Sequence, residues 1–133
     1  MRKIKLRYVW RHKNTGKYIL NIHTLAEIAL KKAQESIIKS DSGFMDYYLI
    51  AHDEYTGLQD RTGKEIFEGD VVRYDQDSCD SLNRKNGVIA TVEYKEYGFK
   101  PFTDDQWICD HYISLHNIEI IGNIYENPEL LNP

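Results

Sequence analysis

Residues 3–10 alternate: Ile4, Leu6, Tyr8 and Trp10 fall on one side, Lys3, Lys5 and Arg7 on the other. A period of two is that of a half-buried strand, with the apolar set toward the core. Asn14-Thr15-Gly16 reads as a turn because Asn and Gly accept positive φ, and Tyr18 to Ile22 returns as the second arm of a hairpin. The period then changes. Thr24-Leu25-Ala26-Glu27 has the spacing of a capping box, in which the threonine hydroxyl and the glutamate carboxylate satisfy amides at the helix start. Leu25, Ile28, Ala29, Ala33 and Ile37 recur at helical spacing, with Lys31, Lys32, Gln34 and Glu35 mainly opposite. This predicts an amphipathic helix of about three to four turns, ending near Ser40 to Gly43.

Downstream, short strands dominate. Phe44 to Asp53 reads as a strand, and residues 55–65 as turns (Thr56-Gly57, then Asp60-Arg61-Thr62-Gly63). Val71 to Tyr74 is a strand and Asp75 to Asn86 a polar loop. Gly87 opens a strand with Val88, Ala90, Val92 and Tyr94 on one face. A loop over Tyr97 to Asp105 precedes two further strands, Trp107 to Leu115 and Ile118 to Ile124. Asn127-Pro128 has the cap-and-proline form of a helix start, with Leu130 and Leu131 to anchor it. Val71, Val88, Val92, Trp107 and Ile120 are the expected core. Many short strands separated by turns suggest a small barrel. Gly69-Asp70 entering one strand and Gly87 entering the next, across a polar loop, is the order seen in SH3-like barrels. The expected fold class is therefore mainly β, a β-rich α+β fold. An SH3-like barrel over 45–133 would carry an N-terminal hairpin and helix over 1–44, the two forming one compact unit.

A chain of 133 residues suits one domain with a real core, and 12% aromatic content with ten tyrosines supports β structure. No apolar run approaches the roughly 20 residues that cross a bilayer, and Met1 to Leu6 alternates instead of forming a signal peptide. A cytoplasmic location is expected, with Cys79 and Cys109 as reduced thiols. Charge is uneven. Residues 1–17 carry +7 and the remainder −11. Opposite patches steer encounters between chains, and strand 3–10 offers a sheet edge for pairing. Lys3, Lys5, Arg7 and Arg11 are accordingly candidate interaction residues, for a protein partner or a second copy in a homo-oligomer. The alternative is a nucleic-acid-binding factor that uses the same basic strand on phosphate, against which the acidic remainder argues.

Chemistry-bearing patterns are thin. Cys109, His111 and His116 lie close together, but only the two histidines have a metal-ligand spacing, and the set completes no zinc pattern. Asp75, Asp77 and Asp80 begin like a calcium loop, yet the sixth and twelfth positions hold Asp80 and Asn86 where glycine and glutamate are required. Asp70 reads as a turn residue bonded to nearby amides. Tyr47, Tyr48, Tyr55, Tyr94, Tyr97 and Trp107 include enough aromatics for a base-stacking platform, though packing is the commoner use. No nucleophile elbow, zincin motif or phosphate-binding glycine loop is present. The pattern predicts neither an enzyme nor a cofactor.

Two longer strings are more specific. Residues 56–72 read TGLQDRTGKEIFEGDVV and residues 119–131 read EIIGNIYENPELL. In this order they resemble the YopX family of bacteriophage and prophage proteins, and the basic opening strand from Arg7 to Trp10 fits the family's start. The helix expected at 24–38 matches no segment of that pattern. The resemblance implies a phage-encoded cytosolic accessory protein with an SH3-like barrel, and it implies no activity.

Overall fold

The alternating start becomes β1 (Lys5–His12), paired antiparallel with β2 (Tyr18–Thr24) from Lys5↔Thr24 to Arg11↔Tyr18. The structure, a computed structural model, is described over residues 4–29, 46–78, 85–95, 98–102, 107–108 and 111–131. It is β-rich, as expected. The chain divides into two compact units, residues 1–57 and 58–133.

In the first unit β1 is the central strand. It pairs with β2 on one side and with β3 (Tyr47–Gln59) on the other. Its position removes it as a sheet edge; among the described residues β2 is an edge instead. The faces follow the alternation, but burial does not. Arg7 and Val9, on the basic side, are the buried residues of β1, whereas Leu6, Tyr8 and Trp10 are half-buried. Register explains the inversion. Leu20 lies opposite Val9 and Ile22 opposite Arg7, so apolar residues line this face as well, and Asp53 opposite Arg7 supplies the neutralising charge.

Helix α1 (Leu25–Ala29) follows β2 directly. Its cap forms as the spacing predicts: the Glu27 amide donates to Thr24 Oγ1 at 3.3 Å, and Thr24 Oγ1 donates to Glu27 Oε1 at 3.3 Å. The later turns of the predicted helix lie outside the described residues. So do Lys3, Cys79, Cys109 and the side chains of Trp107 and His111.

In the second unit the end of β3 turns at residues 60–64 into β4 (Glu65–Phe67). β5 (Asp70–Ser78), β6 (Lys85–Thr91), β9 (Trp107–Ile108) and β10 (His111–Asn123) form a sheet of order β6-β5-β10-β9, and β7 (Glu93–Lys95) pairs with β8 (Gly98–Lys100). The core gathers Ile66, Val72, Tyr74, Val92 and Phe99, with Val88, Ala90, Leu115, Ile118 and Ile120 packed against it. Val71 and Val92 are fully buried as expected, while Val88 and Ile120 are partly so.

Several boundaries differ from the sequence reading, the strand β8 within the expected loop 97–105 and the split of the expected strand from Gly87 to Tyr94 into β6 and β7 among them. Thr56-Gly57 lies inside β3, where Gly57 takes a φ of 87° without ending the strand. The acidic stretch Asp75–Ser78 belongs to β5, because its backbone pairs with β10 whatever its side chains prefer. The strands expected at 107–115 and 118–124 largely merge, since β10 runs through His116-Asn117 without ending. Its register shifts there, and Asn117 takes a φ of 57°. Asparagine tolerates that conformation, so a segment that resembles a turn is absorbed as an irregularity within a strand.

Candidate functional site

The described basic candidates, Lys5, Arg7 and Arg11, sit on one face of the first unit's sheet and are engaged there. Arg7 donates from Nη2 at 3.0 Å and from Nε at 3.3 Å to Asp53 Oδ2, and both side chains are buried. Lys5 Nζ lies 5.5 Å from the centre of the Tyr55 ring. The Arg11 guanidinium lies 5.7 Å from the Tyr18 ring while remaining exposed. A phosphate would have to compete with Asp53 for Arg7, and ionised pairs of this kind are costly to separate once buried.

The opposite face is polar and aromatic. Tyr8 meets His23 edge-on at 5.7 Å, and His12 meets Tyr47 at 4.9 Å. His23 is buried, and its Nδ1 lies 3.2 Å from Glu27 Oε2. The hydrogen bond from His23 is the main reason the Glu27 carboxyl is held below its ordinary pKa. An ionised carboxylate only accepts, so Nδ1 donates and Nε2 faces inward. Among the described residues, His23 Nε2, Asn21 Nδ2 and Trp10 Nε1 are buried side-chain nitrogens with no hydrogen-bond partner. Sequence patterning gives no hint of them, since Asn21 and His23 read simply as polar positions of a half-buried strand.

The first unit also exposes apolar side chains in sequence. Tyr48, Leu49 and Ile50 at the start of β3 are 41%, 45% and 39% exposed. The register places them on both faces of the sheet, Leu49 opposite Trp10 and Tyr48 opposite Arg11. Val9 pairs with Ala51 and Trp10 with Leu49, so Ile50 is an extra residue, and the normal alternation breaks at that point. Ile22 on β2 and Leu25 at the start of α1 are likewise about half exposed.

The second unit presents no comparable apolar run among the described residues. Its recess of about 360 Å³ is lined by Leu58, Gln59, Phe102, Leu115 and Ile118. Among the described residues Gln59 is the one polar side chain of that lining, and a ligand site ordinarily adds several converging polar groups to its apolar walls. His116 Nε2 is 2.9 Å from Asp77 Oδ2, and Asn117 Nδ2 donates to Asp75 Oδ2 at 3.2 Å, all on an exposed surface. Asp75 also accepts from the Gly87 amide at 3.0 Å; this bond first, then that from Asn117, lowers its pKa. Among the described residues no group of three or more His, Cys, Asp or Glu is placed to hold a metal. The candidate cluster of Cys109, His111 and His116 falls partly outside them.

The two specific strings turn out to be one piece of scaffold. Asp60, in the first string, is buried. Its Oδ1 accepts from the Thr62 hydroxyl at 2.6 Å, the Thr62 amide at 2.9 Å and the Lys64 amide at 3.0 Å. Its Oδ2 accepts from the Ile120 amide, in the second string, at 3.1 Å. Burial works to raise the pKa, but the bonds from the Thr62 hydroxyl and the Ile120, Lys64 and Thr62 amides outweigh it and bring it to about 2. The Arg61 amide donates to the Ile118 carbonyl at 2.8 Å, and the Arg61 side chain pairs with Glu119 at 2.7 Å. Asp70 accepts from the Phe67 amide at 2.9 Å, as a turn residue should, and the Ile124 amide donates to the Gly69 carbonyl at 2.9 Å. The Pro128–Leu131 turn of 3₁₀-helix closes over Gly122, where an added Cβ would lie 2.6 Å from Asn127 Oδ1 and 2.9 Å from Leu130 Cδ1. Asn127 Oδ1 accepts from the Asn123 amide instead of capping that turn.

Among the described residues no helix is long and apolar enough to cross a membrane. A comparison with curated proteins finds no match. The family model described as YopX protein matches residues 5–132, which takes in both strings and the sheet of the first unit, and the chain therefore belongs to the YopX family.

Proposed function

We propose that this chain is a non-enzymatic protein-interaction module, a phage accessory protein of the bacterial cytoplasm whose second unit, an SH3-like barrel, is scaffold and whose first unit meets the partner. The observation that carries the reading is the exposed run Tyr48-Leu49-Ile50 at the start of β3. Three consecutive exposed large apolar side chains, with Tyr48 and Leu49 on opposite faces of the sheet, suit a partner that wraps this end of β3, and scattered single ones do not. A partner that buries them gains apolar contact and leaves the Arg7–Asp53 pair in place. The engagement of Lys5 and Arg7 within the sheet supports this reading over the nucleic-acid alternative.

The test is affinity capture from bacterial lysate with the native chain and with Leu49→Lys, compared by quantitative mass spectrometry. Specific proteins should be retained by the native chain and lost from the variant, with unchanged circular dichroism. Equal capture by both, together with retention on DNA resin that falls steeply with salt, would replace this reading with the nucleic-acid one.

A further inference from the structure

We infer that β2 is the contact between two copies of this chain, paired antiparallel about a two-fold axis at Asn21, so that the sheet of the first unit continues through a dimer. The inference adds a named partner to the interaction reading and uses a different surface from Tyr48–Ile50.

Among the described residues β2 pairs with β1 alone, so its other side is a sheet edge. Proteins usually guard such edges with lysine, proline or a bulge. Tyr18–Thr24 contains neither a charged residue nor proline, and its pairing with β1 is regular over the whole strand. The edge is therefore straight, neutral and largely apolar, which fits a second strand.

Symmetry narrows the partner and its register. Opposed residues in an antiparallel pair alternate between hydrogen-bonded and non-hydrogen-bonded types. A two-fold axis must map each type onto itself, so it has to pass through a residue facing its own copy. An axis at Asn21 pairs all seven residues of the strand: Leu20 faces Ile22 of the second copy, Ile19 faces His23, and Tyr18 faces Thr24. Axes at Leu20 or Ile22 each leave two residues of the strand unpaired. Asn21 is also the residue whose Nδ2 is buried without a hydrogen-bond partner. A carboxamide facing its own copy can donate to the other's oxygen and accept in return, which satisfies both. Ile22, half exposed in one chain, would be covered by Leu20 of the other. Buried asparagine pairs are known to fix register in this way.

Light scattering coupled to gel filtration at tens of micromolar should give a dimer mass. Asn21→Asp, nearly the same shape, places two carboxylates on the axis and should raise the dimer Kd at least tenfold at neutral pH. Cross-linking reads the register directly. With Cys79 and Cys109 replaced by serine, opposed Cα atoms about 4.5–5.5 Å apart lie within disulfide range. Mild oxidation should link Asn21→Cys to its own copy. Leu20→Cys or Ile22→Cys alone should stay unlinked, and the double variant should link. A monomer mass for the native chain overturns the inference, as does linking of the Leu20 or Ile22 single variant as readily as Asn21→Cys. The Leu49→Lys variant should remain a dimer. If the native chain is a monomer whose captured partner is lost in Leu49→Lys, the interaction reading stands and this inference falls.

Discussion

Asp53 in the first unit and Asp60 in the second are both buried carboxylates, 4% and 7% exposed, and they are held in different ways. Asp53 accepts from a side chain across the sheet, the Arg7 guanidinium. Asp60 gathers backbone amides from its own turn and from β10, with a single hydroxyl. The first arrangement is a pair, and chemistry can replace a pair. The second is a hub whose partners are main chain but for the Thr62 hydroxyl, and the amides are present whatever the side chains are. The contrast separates a unit whose buried charge is a matter of side-chain choice from one whose loop geometry depends on a single carboxylate.

The sharpest way to break that contrast is to remove one member of each. Arg7→Ala takes the guanidinium away from the buried Asp53 carboxylate, and should destabilise the chain by about 3–5 kcal/mol in urea unfolding. The double change Arg7→Met with Asp53→Leu should recover most of that loss, since apolar replacement of a buried pair is often neutral or stabilising. Asp60→Ala should cost about 2–3 kcal/mol, because the Ile120 amide loses its acceptor and the turn loses its brace. No second substitution should rescue it, and rescue by any side-chain change elsewhere would show that the hub reading is wrong. Gly122→Ala, which forces Cβ against Asn127 and Leu130, should cost about 1–3 kcal/mol and show as a lower Tm. The smallest effect is in acid. The folded pKa of Asp60, about 2, lies below the ordinary 3.8. Its stabilisation is thus complete above that ordinary value and is lost as pH falls from there through about 2. The acid-unfolding curve of Asp60→Asn should be flatter than that of the native chain over this window, and parallel curves would count against the hub.

Much of the architecture is legible in the sequence because side-chain periodicity reports directly on strands. The hairpin of β1 and β2, the Thr24–Glu27 cap and the Gly69-Asp70 turn all follow from local chemistry. Burial of β1 is not legible, because alternation defines two faces and does not say which is covered. That depends on Leu20, Ile22 and Asp53, residues that only register brings alongside. The exposure of Tyr48–Ile50 is similarly hidden, because it depends on which faces the neighbouring elements leave uncovered and, at Ile50, on a shift of register with β1. The family strings are visible as strings, but their meaning is not. Asp60 and Ile120 are sixty residues apart in sequence and one hydrogen bond apart in the fold.

The bond from the Gly87 amide to Asp75 Oδ1 has a chemical consequence for the lifetime of the protein. Asn86-Gly87 is the dipeptide most prone to spontaneous deamidation, in which the glycine nitrogen attacks the asparagine side chain and closes a succinimide ring. That attack needs the nitrogen to lose its proton and swing toward the carboxamide. An amide that donates to a carboxylate is held back on both counts. Asp75 therefore acts as a preservative for the peptide bond beside it, and ageing of this chain at Asn86 reports on whether β5 and β6 are still paired. Incubating Asp75→Ala at mildly alkaline pH should speed the appearance of aspartate and isoaspartate at residue 86 in peptide maps, and an unchanged rate would show that strand pairing protects the site without the carboxylate.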